Sequence, residues 1–206
     1  MFHLLPLRIF PLCASSIIMA STIELPNEIW FGVFSYLDYS GLKNCMRVNK
    51  AFKSYTELPV CQKTMFRSKA VVPRGGAINL DDVQTHPAFE SMVYQCDPRL
   101  SRVTFLTADF NEVMLANTCA ANEHATNPPV AFMRIQITGW TPLQLKNKTG
   151  VTVVQVMRSL CKFFSTGRHR ESRGDHTRWT GWDETKLDIS GDLWLRVVKF
   201  DSSSVP

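Results

Sequence analysis

The sequence is poor in the features that mark enzymes, metal proteins and membrane proteins. It contains no GxSxG elbow, no phosphate-cradling glycine loop, no HExxH helix and no GxGxxG turn. Those motifs announce hydrolases, nucleotide binders and zinc proteases; their absence does not exclude an enzyme but leaves no reaction to name, and no cofactor is expected. Six cysteines stand at positions 13, 45, 61, 96, 119 and 161. None of them forms a CxxC unit, whereas metal sites usually place two ligands close together on one turn. No metal is expected either; an even cysteine count permits disulfides, but buried free thiols are the plainer reading. No apolar stretch reaches the length of about 20 residues that a bilayer span needs. The net charge of +5 is mild and partly local, with Lys63, Arg67, Lys69 and Arg74 in an acid-free segment, 60–74. A nucleic-acid binder shows a denser basic face interleaved with aromatic rings, and no nucleic-acid partner is expected.

The 206 residues, 45% apolar and 20% charged, are enough for one ordinary folded domain and a smaller one. The most informative stretch is 24–59. Pro26 sits where a first helical turn loses no hydrogen bond, and Glu28 complements the positive helix end. Ile29, Trp30, Val33, Phe34 and Leu37 then form an apolar face broad enough for partners on two sides. Asp38-Tyr39-Ser40-Gly41 breaks this helix and caps the next, on which Leu42, Cys45 and Met46 face one way. Asn49 caps a third short helix through Ala51, Phe52 and Tyr55. Three helices of this size bury too little surface to stand alone. A second domain or a protein partner must cover the remaining apolar face.

This stretch resembles the F-box. The resemblance rests on the LPxE opening at Leu25, the block Gly32 to Leu37, the spacing to Leu42, and Arg47 to Phe52 ahead of Pro59. It implies docking onto the Skp-type adaptor of cullin–RING ubiquitin ligases, with Leu25, Pro26, Ile29, Val33, Leu37, Leu42, Val48 and Phe52 as contact or core positions. An ordinary helical hairpin packed on its own domain is the bland alternative.

The first 20 residues are apolar, with one positive charge and small residues before Ser21, and they imitate a secretory signal. Pro6 and Pro11 interrupt the run, Arg8 sits in its middle, and Met19 opens a natural start. Residues 1–18 therefore read as an upstream extension of doubtful status within segment 1–20. The sequon at Asn147 matters only if the chain is secreted. The F-box-like segment is placed at 21–60 and a connector at 61–76, with a short helix from Gln62 to Ala70 and a turn at Val71 to Gly76.

From 77 to 206 the pattern turns toward strands. Arg102 to Leu106 is a strand candidate, and Phe132 to Thr138 alternates apolar and polar residues as a half-buried strand does. Leu143 to Asn147 can pair with it after a turn at Gly139 to Pro142. Asn147 to Gly150 makes the next turn, and Thr152 caps a helix from Val153 to Phe164. Residues 165–182 read as an exposed loop and Leu193 to Phe200 as a final buried strand. The expectation is an α+β protein: a small three-helix unit, then a mixed, mainly antiparallel domain with a packed helix. Residues 77–165 also resemble a domain of unknown function common in mushroom-forming fungi. The matching segments are His86 to Phe89, Tyr94 to Asp97, Ala125 to Val130, and Gly150 to Val153 leading into the helix with Val156. That resemblance carries no catalytic residues.

Among chemistry-bearing residues, His86 reads as a structural turn histidine, with Cys96 and Asp97 its nearest possible co-ligands. Cys119 and His124 invite a cysteine–histidine nucleophile but lack an orienting third group. Arg170, Arg173 and Trp179, in an arginine-rich run ending in Trp182, are the candidate target-binding residues, because tryptophan and arginine dominate binding hot spots. The alternative is that Trp182 and Trp194 fill the core while the arginines are solvated. The favoured expectation is a non-catalytic substrate receptor of an SCF-type ligase, acting in the cytoplasm or nucleus with adaptor, cullin and an unknown target as partners. The competing readings are a non-degradative adaptor-binding protein, a small cysteine/histidine enzyme, and a secreted disulfide-bonded protein.

Overall fold

A computed structural model describes residues 25–69, 82–106, 111–137, 140–167, 169, 176–179, 182–187, 193–197 and 200–202. Four helices come first: α1 (Asn27–Ser35), α2 (Tyr39–Val48), α3 (Lys50–Tyr55) and α4 (Pro59–Thr64). Their limits follow from local chemistry. Pro26, extended at φ −52° and ψ 146°, precedes α1, and its carbonyl accepts the Ile29 and Trp30 N–H groups. Asp38 Oδ1 accepts the Gly41 N–H at 2.7 Å and Asn49 Oδ1 the Phe52 N–H at 2.8 Å. Each cap satisfies a donor that the first helical turn leaves unpaired.

Phe34, Leu42, Cys61 and Met65 are the fully buried residues of this unit, wrapped by Trp30, Leu37, Tyr39, Cys45, Met46, Phe52 and Tyr55. Phe34 meets the rings of Phe52 and Tyr55 edge-on at 5.4 and 5.5 Å. The short helix expected at Gln62 to Ala70 lies earlier, at Pro59–Thr64, because Pro59 is favoured at a helix start. Cys61 on α4 and Met65 just after it complete the helical core. The turn at Val71 to Gly76 lies outside the described residues.

The larger unit contains β1 (Gln84–Thr85), α5 (Ala88–Ser91), β2 (Met92–Tyr94), β3 (Val103–Leu106), β4 (Glu112–Met114), β5 (Thr126–Asn127), β6 (Phe132–Ile137), β7 (Leu143–Lys146), α6 (Val153–Phe164), β8 (His176–Trp179), β9 (Trp182–Leu187), β10 (Leu193–Val197) and β11 (Phe200–Ser202). The largest sheet has the order β7-β6-β10-β9; a second runs β2-β3-β4; β1 pairs with β5 and β8 with β11. All pairings are antiparallel except β6 with β10. The chain is thus α+β, as its periodicity indicates.

On β6, Met133, Ile135 and Ile137 are buried while Phe132, Arg134 and Gln136 between them are half-buried. The inward set meets Val153, Val156, Met157, Leu160 and Phe164 of α6 in one core with Phe89, Tyr94 and Leu115. The start of α6 is fixed twice. Gln155 Oε1 accepts the Thr152 N–H at 3.0 Å, the return half of a capping box. Gly150 precedes it at φ +108°, where a Cβ would lie 2.6 Å from the His124 ring.

Two expectations fail in the last third. Residues 165–182 are not a loop throughout: β8 and the start of β9 fall there, and Trp179 is 1% exposed. The arginines and glycine around Trp179 suggest solvent, but its ring packs against Phe89 and Trp182 at 6.0 and 5.3 Å. The single final strand expected at Leu193 to Phe200 is two strands, β10 and β11, in different sheets. Among the described residues no helix is long and apolar enough to cross a membrane.

Candidate functional site

The helical unit leaves a row of apolar side chains uncovered. On α1, Ile29 and Val33 are 51% and 45% exposed, one turn apart on one face. Tyr36 follows at 91% exposure, and Leu25 precedes them at 39%. Val48 at the end of α2 and Val60 on α4 are also exposed. Scattered apolar residues on a surface are ordinary, whereas exposed apolar neighbours such as Ile29 and Val33 on one helix make a candidate contact surface.

Of the eight residues that the F-box resemblance nominates, Leu25, Pro26, Ile29, Val33 and Val48 are exposed, and Leu37 and Phe52 are half-buried in the small core. Leu42 is completely buried, which places it among the core positions of that set. Its apolar neighbours at i+3 and i+4, Cys45 and Met46, turn that side of α2 inward.

A second constellation joins the two units. Glu123, 2% exposed, lies after a 3-10 turn (Cys119–Asn122) in the larger unit. Its Oε1 accepts Lys43 Nζ at 2.6 Å and Arg67 Nε at 2.8 Å, and its Oε2 accepts Tyr39 Oη at 2.8 Å. Tyr39 and Lys43 come from α2, Arg67 from the segment after α4. Below the carboxylate, His86 Nε2 stands 3.2 Å from Oε2 while its Nδ1 accepts the Ala88 N–H at 3.0 Å. An acceptor Nδ1 leaves the proton on Nε2, so His86 is neutral and donates to Glu123.

The electrostatics agree with this geometry. Burial alone would raise the Glu123 carboxyl, but the bonds from His86, Lys43 and Tyr39 overcome it and hold the group down at about 2. Burial pushes His86 below its ordinary 6.5, keeping it uncharged despite the carboxylate beside it. The Tyr39 hydroxyl, desolvated and facing that carboxylate, is held well above the usual tyrosine range and remains a donor.

Aromatic packing closes the seam. The Phe66 ring lies 4.7 Å from His86 and 6.0 Å from Tyr39, and Tyr39 lies 4.9 Å from His86. Phe66 holds a left-handed backbone, φ 55°, that a bulky residue adopts only under constraint. Its carbonyl accepts the His124 N–H at 2.8 Å, tying the chain directly after α4 to the larger unit.

The other candidate residues separate. Cys119 is exposed and its Sγ accepts Lys43 Nζ at 3.0 Å, while the His124 ring lies instead against Gly150. The cysteine–histidine pair is therefore not assembled. His86 is the buried structural histidine expected, but its partner is Glu123, not Cys96 or Asp97; Asp97 instead binds Arg99. Among the described residues no cluster of three or more His, Cys, Asp or Glu side chains could hold a metal ion. Arg170 and Arg173 lie outside the described residues, and buried Trp179 presents no surface to a target. Sequence reasoning missed Glu123, although it is the only acidic residue from 113 to 170.

Two family models match parts of the chain. The F-box-like family model matches residues 22–61. F-box domains bind Skp-type adaptors and are typical of non-catalytic subunits, which supports an adaptor role in an SCF-type ubiquitin ligase. No curated protein and no solved structure matches the chain. A second family model covers residues 81–197, more than half the length. The chain belongs to that family, the family of unknown function DUF6699, and carries an F-box-like domain ahead of it.

Proposed function

We propose that this chain is the substrate receptor of an SCF-type cullin–RING ubiquitin ligase. Leu25, Pro26, Ile29, Val33 and Val48 dock on the Skp-type adaptor, Leu37 and Phe52 hold the docking helices in place, and the adaptor carries the complex to cullin. The larger unit holds a target protein. The observation that carries the reading is the uncovered apolar row on helices that match an F-box-like domain. Each half-exposed aliphatic side chain covered by the adaptor contributes roughly 1 kcal/mol, from about 25 cal/mol per Å² of apolar surface removed from water.

The chain's own contribution to catalysis is proximity. It gathers target and ubiquitin-charged conjugating enzyme into one assembly, which makes their encounter effectively intramolecular. By itself it transfers no ubiquitin. It acts where such ligases act, in the cytoplasm or nucleus, and the fungal source suggested by the sequence belongs to the same reading.

The test is affinity purification from the source cell, wild type beside Leu25→Ala/Pro26→Ala. Adaptor and cullin should be recovered with the wild type and vanish with the variant, while targets held by the larger unit remain. Recovery of adaptor without cullin would replace the ligase reading with a non-degradative one. Undiminished adaptor in the variant would overturn the docking face itself.

A further inference from the structure

The outward side of β6 and β7 forms a groove of about 690 Å³ lined by Ala131, Phe132, Arg134, Gln144, Lys146, Asn147 and Lys148. Three of the seven are cationic and none is acidic. Phe132 forms its apolar floor, half-buried, with the Arg134 guanidinium 5.3 Å and the Lys146 ammonium 5.2 Å from its ring centre. Such cation–ring contacts hold both charges close to the ring. Lys146 and Lys148 are exposed.

The groove lies on the last strand of its sheet. β7 pairs with β6 on one side and has no strand neighbour on the other among the described residues. An unpaired strand edge offers backbone N–H and C=O groups to an extended chain. Gln144 and Lys146, two residues apart on β7, face the groove.

Resting on the receptor reading above, we propose that this groove is the target-binding site and that its occupant is an extended acidic peptide segment of the target protein, paired alongside β7. The backbone edge supplies affinity that does not depend on sequence. Asp and Glu side chains at alternate positions share the face of Lys146, Lys148 and Arg134, and the residues between them turn to the opposite face of the sheet. The site lies on strands of the larger unit, so it operates without the adaptor.

The test uses the full chain and fluorescence anisotropy with three labelled probes: a ten-residue peptide alternating Glu and Val, its Gln counterpart, and a single-stranded oligonucleotide. The acidic peptide should bind and the Gln peptide should bind at least tenfold more weakly. The acidic affinity should fall as salt rises, since exposed charges are screened within about 10 Å at 0.1 M. Lys146→Glu/Lys148→Glu changes two exposed side chains and should weaken the acidic peptide on the order of tenfold, two exposed charge contacts being removed and reversed. Arg134→Gln gives the same direction from the half-buried position. Leu25→Ala/Pro26→Ala should leave peptide binding unchanged. Equal binding of the two peptides, no effect of the lysine reversal in a chain of unchanged circular dichroism, or preference for the oligonucleotide would each overturn the proposal. The adaptor experiment above is untouched by any of these results, so failure of this groove and failure of the ligase reading are distinguishable.

Discussion

Replacing Glu123 by glutamine changes one oxygen to an amide nitrogen at the point where the two units meet. The magnitude can be reached in two ways. A carboxyl group held from its ordinary 4.5 down to about 2 by its folded surroundings contributes roughly 3 kcal/mol to stability at neutral pH through proton linkage. Breaking a buried ion pair by removing one partner costs about 3–5 kcal/mol. The lower end applies here, because the Lys43 and Arg67 side chains keep 19% and 23% of their exposure and can turn to water. A glutamine carbonyl can accept from only one pair of donors, and its NH₂ then faces the other pair, either Lys43 with Arg67 or Tyr39 with His86. Urea unfolding at pH 7 should therefore show a loss of about 3 kcal/mol, a midpoint lower by roughly 1 M for a slope of about 3 kcal/mol/M. The pH dependence supplies the independent check. A depressed carboxyl stabilises above its unfolded pKa, near 4.5, and that stability drains away as pH falls toward 2. Wild type should lose stability across that window and Glu123→Gln should lose markedly less. His86, also depressed, adds a separate decline that begins near 6.5, where the unfolded histidine starts to take up a proton. A variant within 1 kcal/mol of wild type at pH 7, or one with an unchanged acid limb below 4.5, would refute the assignment of Glu123 as the anchor.

Ile29→Ser and Val33→Ser alter side chains already half in water, so thermal unfolding should shift by about 0.5 kcal/mol or less while adaptor binding measured by calorimetry weakens. Leu42→Ala empties a completely buried site and should cost about 2–5 kcal/mol by denaturant titration, losing adaptor binding only through unfolding of the helical unit. Gly150→Ala places a methyl 2.6 Å from the His124 ring at φ +108°; calorimetric unfolding should show a loss of more than about 1 kcal/mol, from backbone strain and steric overlap together.

Where local chemistry decides the outcome, the sequence was readable. Asp38, Asn49 and Gly150 each act within three residues of their own position, and the helix and turn boundaries they set agree with expectation. The alternation along Phe132–Ile137 and the apolar stripe on Val153–Phe164 reported two faces of one core directly. Long-range pairing was not readable. Nothing near Trp179 announces that Phe89, some ninety residues earlier, takes its ring into the interior. The same holds for Glu123, whose partners Tyr39, Lys43, Arg67 and His86 are contributed by three separate places in the chain. The apolar residues of the helical unit were legible as a set, but which of them point outward depended on packing. Leu42 and Val33 look alike in sequence and differ only in which side of their helix another helix covers.

The shared carboxylate has a consequence for protein engineering. Swapping the first sixty residues for another helical module would remove the tyrosine at 39 and the lysine at 43 and leave the buried carboxylate only Arg67 and His86 as partners. A transplant would thus need matching donors at the join.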